Sequence, residues 1–161
     1  MTRLREAVPG WRTAAAGSLV WAAIMAGSAW FGLHTLDWAT NADIQRVVLV
    51  YALGGLAAFA PALWLARFLA GKRGGEVRLA AALLAYASCT VVITSLIFAM
   101  DYRDYYAQWH DDDLSVRLML EVAFTTAAAL YQFAVLGLRL FFPIGFAALL
   151  AVALWFARAS H

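Results

Sequence analysis

LAAALLAYASCTVVITSLIFAM, running from Leu79 to Met100, carries no charged residue and is long enough to cross a bilayer as one helix. A helix spanning the hydrocarbon core needs about 20 mostly apolar residues. In lipid such a segment must satisfy its own backbone hydrogen bonds, and this makes it helical. Two stretches of the same kind precede it, Ala14–Leu33 and Val47–Ala66, with Pro61 marking an expected kink in the second. Arg3, Arg5 and Arg12 ahead of the first stretch resemble the start of a secretory signal. The apolar run after them exceeds the roughly 7–15 residues of a signal h-region, so it reads as a retained first span.

Leu114 to Ala157 is too long for one crossing and barely long enough for two. Gly137, Arg139 and Pro143 cluster near its middle. Glycine suits a helix C-cap and proline the first turn of the next helix. The stretch therefore divides into Leu114–Leu138 and Phe141–Ala157, joined by a tight turn. The fold expected is an all-α integral membrane bundle of five transmembrane helices. In a four-span alternative, Leu114–Phe133 lies along the membrane surface or packs outside, and one final helix runs through Arg139 and Pro143.

Composition agrees with lipid as the solvent. The 161 residues are 65% hydrophobic and 14% charged, with a mean hydropathy of +0.74. Soluble domains average about 45–50% apolar and about 25% charged residues. Short connections make residues 1–161 a single polytopic domain. A formal net charge of +2, scattered over loops, argues against nucleic acid as a partner. Cys89 is the only cysteine, which removes intrachain disulfides and CxxC motifs; inside an apolar run it reads as a small packing residue.

Charge placement orients the chain. Arg3, Arg5, Arg12, Arg67, Lys72, Arg73 and Arg78 fall on one side, and Arg139 joins them in the five-span scheme. Asp37, Asp43, Asp101, Asp104 and Asp111–Asp113 fall on the other, with Arg46 and Arg103. By the positive-inside rule the N-terminus is cytoplasmic and the acidic loops face outward. Trp30, Trp38, Tyr102, Tyr105, Tyr106 and Trp109 then mark outer span ends; Trp11, Trp64 and Phe68 mark inner ones. His34, His110 and His161 all fall on the outer side, so none is placed for a buried haem.

Small residues recur four apart at Ser18, Ala22 and Ala26, at Gly54, Ala58 and Ala62, at Ala81, Ala85 and Cys89, and at Ala123 and Ala127. Each set lies on one helix face and suits close helix packing. The densest polar stretch runs from Asp101 to Asp113. There Asp101, Asp104, His110, Asp111, Asp112 and Asp113 would suit a divalent cation, a docking surface or simply a solvated loop. Their spacing matches neither an EF-hand nor HExxH. Arg117, Glu121 and Gln132 form a candidate intramembrane polar site, although Arg117 and Glu121, four apart, also suit a simple ion pair. Arg139, beside Phe141 and Phe142, reads as a snorkelling anchor at the inner face or a lipid-headgroup contact.

No nucleophile–base pair, phosphate loop or dinucleotide fingerprint occurs, and no cofactor is indicated. The role expected is a small accessory or assembly subunit of an inner-membrane complex. It would work by helix packing and outer-loop docking, against membrane lipids and a protein partner or its own copies. A small oligomeric transporter or channel, lined by Glu121, Gln132 and the threonines Thr90, Thr94, Thr125 and Thr126, is the alternative. An outer-face metal-dependent or lipid-active enzyme is the third. Alanine- and arginine-rich usage suggests a bacterial source.

Overall fold

Helices form wherever the apolar stretches predict them, and several outrun those stretches. The computed structural model describes residues 7–35, 41–107 and 116–159, and among these every regular element is helical. In chain order they are α1 (Trp11–Thr35), α2 (Asn41–Ala70), α3 (Gly75–Ala107), α4 (Val116–Val135), a 3₁₀ turn (Gly137–Phe141) and α5 (Ile144–Arg158). Helix α2 begins ahead of Val47 and runs through Pro61, while α3 continues past Met100. Asp43 and Glu76 stand in the first turns of α2 and α3, where a carboxylate complements the helix N-terminus. Gly71, at φ 54°, closes α2 by donating its N–H to the Arg67 carbonyl at 3.0 Å, a left-handed cap that favours glycine. Four helices are long and apolar enough to cross a membrane; α5, at 15 residues, is shorter.

Helix α2 packs between α1 and α3. Gly54 and Gly55 make this double contact close, because neighbouring positions point about 100° apart on a helix. A β-carbon at Gly54 would overlap the Thr94 side chain of α3. One at Gly55 would come within 3.0 Å of Met25 Cγ and the Trp21 carbonyl of α1. Ala58 and Ala62 continue the buried stripe on α2, and Ala81 and Ala85 provide its counterpart on α3. Of the other two expected stripes, Ala22 alone joins a close contact, its Cα 3.1 Å from where a Gly55 β-carbon would stand. Ser18, Ala22 and Ala26 are only half-buried, since α1 packs through Trp21, Met25, Ser28, Ala29 and Gly32. Ala123 and Ala127 are exposed, and α4 buries Ala129 and Phe133 instead. Where the three long helices meet, Trp21, Phe59 and Tyr86 form an aromatic triad with ring centroids 5.4–6.5 Å apart.

The chain break between α4 and α5 falls where Gly137 and Pro143 predict it, but the two helices do not form the antiparallel pair expected. Gly145, at the start of α5, lies against Met25 and Ser28 in the second half of α1. Phe156, near its end, lies against Arg78 in the first turn of α3. Helix α5 therefore runs antiparallel to α1, from the end of the bundle bearing Asp101 toward the end bearing Arg67 and Arg78. Helix α4 reaches the turn from the Asp101 end as well. Phe133 of α4 packs on Phe98 of α3 at 5.8 Å. Were α4 to ascend alongside α3, Val116 would lie roughly 39 Å from Ala107. The nine chain steps between them reach only about 31 Å. Arg139 consequently sits on a turn in the Asp101 half of the bundle, not with Arg67 and Arg78 as expected. His110, the acidic residues Asp111, Asp112 and Asp113, and His161 lie outside the described residues.

A side chain larger than glycine's at position 54 must push α2 and α3 apart. Gly54→Val is expected to destabilise the protein by about 1–3 kcal/mol, the usual range for overpacking, whereas Ala123→Val on exposed α4 has little effect. Thermal unfolding in a single detergent compares the two, and equal melting temperatures would remove the close contact from the account.

Candidate functional site

Four groups of polar side chains among the described residues bear on function: the Asp101 end, the outward face of α4, the buried turn, and a basic cleft at the opposite end. At the first, Arg46 Nε of α2 donates to both carboxylate oxygens of Asp101 on α3, at 2.9 and 3.0 Å. A terminal Arg46 nitrogen also reaches the Asp101 carbonyl at 3.3 Å. Asp101 thus ties two helices together instead of standing free for a cation. Asp104, one turn on, is exposed. His110, Asp111, Asp112 and Asp113 lie outside the described residues, and among the described ones no group of three or more His, Cys, Asp or Glu could hold a metal.

On α4 the expected pair forms: Arg117 Nε lies 2.8 Å from Glu121 Oε1, with the side chains 76% and 31% exposed. Gln132 is exposed as well. Eleven residues at 100° each bring Gln132 back beneath Glu121, three turns further along and about 16 Å away. The three polar groups share one stripe, and it faces away from the bundle. Of the threonines that would line a path with them, Thr125 falls on the same stripe, four residues after Glu121, and the others lie elsewhere. Thr90 and Thr94 are buried among α1, α2 and α3, and Thr126 donates to the Val122 carbonyl of its own helix.

The buried turn was not legible as a site. Ser28 Oγ donates to the Leu140 carbonyl at 2.7 Å and accepts the Gly145 N–H at 3.2 Å. Two backbone groups left over where the 3₁₀ turn ends and α5 begins are thereby satisfied by one hydroxyl. Tyr51 of α2 donates its hydroxyl to the Gly137 carbonyl at 2.5 Å. Its ring stacks near Phe141 and Phe133, at 4.9 and 6.2 Å. Trp21 Nε1 donates to Thr90 Oγ1 at 3.1 Å and joins α1 to α3. Isolated hydroxyls in apolar runs, Ser28 between Gly27 and Ala29 and Tyr51 between Val50 and Ala52, are the only sequence signal of this seam.

Clefts open beside it and at the opposite end of the bundle. An apolar one of about 220 Å³ opens beside the start of α5, walled by Trp21, Met25, Tyr86, Phe141, Gly145 and Leu149 among others. The second, about 460 Å³, lies where α2 ends and α3 begins. Arg67, Lys72 and Arg78 line it with Phe68, Trp155 and Phe156. Arg67 donates to the Val8 carbonyl at 3.2 Å. Arg78 donates to the Phe156 carbonyl at 2.9 Å, with its guanidinium 4.7 Å from that ring. Sequence reasoning used these cations only to orient the chain, because residues 67, 72 and 78 approach the α5 aromatics only in the fold.

Ser28→Ala would strand the Leu140 carbonyl and the Gly145 N–H, at an expected cost of about 1–3 kcal/mol. Arg46→Ala removes a half-exposed ion pair and is expected to cost about 0–1 kcal/mol. Unfolding curves of the two variants in the same detergent test the ranking, and a larger loss for Arg46→Ala would sink it. No protein-family model, curated protein or solved structure matches the chain.

Proposed function

We propose that this chain is a small, non-enzymatic accessory subunit of a bacterial inner-membrane complex, and that it works by contact, chiefly through the outward face of α4. The observation that carries this reading is how little of α4 its own bundle uses. Ala129 and Phe133 are buried, whereas Val116, Met119, Phe124 and Tyr131 are more than 70% exposed. Lipid would accept those apolar groups. The polar stripe is what favours a protein partner. Gln132 is exposed about one helical turn from the buried 3₁₀ turn, and its amide has no hydrogen-bond partner among the described residues. A carboxamide at that depth is best satisfied by bonding across to another helix. Asp104 and the acidic stretch beyond it offer a second, outward contact.

The same reading sets the membrane topology. By the positive-inside rule, Arg67, Lys72, Arg73 and Arg78 support a cytoplasmic position for their end of the bundle and for the N-terminus. Helices α1, α2 and α3 each cross. The turn and α5 then make the return passage while α4 stays on the Asp101 side, giving four passages in place of the five expected. The C-terminus follows to the cytoplasmic side.

Two experiments test these statements. A photoreactive amino acid at Phe124 or Tyr131 in native membranes is expected to yield one discrete protein adduct, weakened by Gln132→Leu. Adducts with lipid alone would remove the partner, and adducts with a second copy of the chain would replace the accessory role with a homo-oligomer. A green fluorescent protein fused after His161 should fluoresce and an alkaline phosphatase fused there should stay inactive. The opposite result would restore the five-span arrangement.

A further inference from the structure

From the basic cleft we infer a binding site for the phosphate of an anionic phospholipid, at the end of the bundle opposite Arg139. This inference is independent of the α4 partner and rests only on the chain being a multi-pass membrane protein.

Three cations from separate elements converge there: Arg67 from the last turn of α2, Lys72 from the connection, and Arg78 from the first turn of α3. Neither arginine forms an ion pair with any described carboxylate, although the molecule pairs Arg46 and Arg117 closely at 2.8–2.9 Å. Each donates to one backbone carbonyl, from Val8 or Phe156, and a guanidinium carries five N–H donors. Most of their donor capacity is therefore unused. Arg78 Nε is enclosed and has no acceptor, a condition that costs free energy until an acceptor arrives. Arginine forks match phosphate oxygens, and lysine supplies a compact charge beside them.

The rest of the wall says what kind of phosphate fits. Leu63, Phe68, Trp155 and Phe156 share the cleft with the cations, so its lining divides between apolar and basic side chains. That division suits an amphiphile with its headgroup on Arg67, Lys72 and Arg78 and its chains along α2 and α5. Trp155 and Trp64 lie at this level, and Trp64 stacks on Phe68 at 5.7 Å and 8°, as indoles do near headgroups. A free phosphate would use the same three side chains and ignore the aromatic wall.

Native mass spectrometry and thermal unfolding of the full chain in dodecyl maltoside test the site, using phosphatidylglycerol, phosphatidylcholine and inorganic phosphate as probes. Phosphatidylglycerol is expected to remain bound and to raise the melting temperature, and phosphatidylcholine to do neither. Lys72→Gln, at an exposed connection where folding is not at risk, should weaken phosphatidylglycerol binding by about tenfold, the scale of one charge-assisted contact. Arg67→Gln should act in the same direction. Arg103→Gln, at the other end of the bundle, should not. A melting shift from inorganic phosphate as large as that from the lipid would keep the phosphate site and reassign its source to a free anion. Equal binding of both lipids, or full binding in Lys72→Gln and Arg67→Gln, would overturn the inference.

Discussion

One hydroxyl group decides how the second half of this protein is arranged. Where α4 gives way to α5, the chain leaves helical geometry inside an otherwise apolar bundle. Non-helical backbone at such a depth survives only where protein satisfies it. Ser28 does so in both directions at once, bonding the Leu140 carbonyl and the Gly145 N–H, and Tyr51 holds the other end of the turn through Gly137. With the turn held, α5 lies along α1 and carries Trp155 and Phe156 to Arg67 and Arg78. The basic cleft, the unburied face of α4 and the direction of the C-terminus all follow from that placement.

Much of the helix content was legible in the residue pattern, and the reason is solvent. In lipid a long apolar run has few alternatives to a helix, so Ala14–Leu33, Val47–Ala66 and Leu79–Met100 each sit within an observed helix. The interruption near Gly137 and Pro143 was legible too, because both residues act on local backbone geometry. Its direction was not. Glycine and proline tell where a helix stops, whereas where the chain goes next depends on Ser28 and Tyr51, respectively 112 and 86 residues away from their partners. Arg139 was assigned to the wrong end of the bundle for that reason alone.

The same distinction between local and distant partners separates the site residues. Arg117 and Glu121 were readable as a pair because helical geometry puts positions four apart together. Arg46 and Asp101 were not, although their contact is as close. Four-residue spacing of small residues proved ambiguous, since it identifies a face without naming its neighbour. On α2 that face meets α3 at Gly54; on α4 Ala123 and Ala127 stay exposed. Three arginine and lysine positions that served only as orientation marks in the sequence became one cleft once the turn brought α5 across.

Ser28 also has a history within each round of synthesis. Chains emerge N-terminus first, at about 5–20 residues per second, so roughly six to twenty seconds separate Ser28 from Leu140 at the ribosome. During that interval α1, α2 and α3 can already pack through Gly54 and Gly55, while the Ser28 hydroxyl can only bond back to a carbonyl of its own helix. In the folded chain that hydroxyl instead bonds Leu140 and Gly145, in the last seventh of the sequence. A chain truncated before Leu140 lacks both backbone partners of the Ser28 latch.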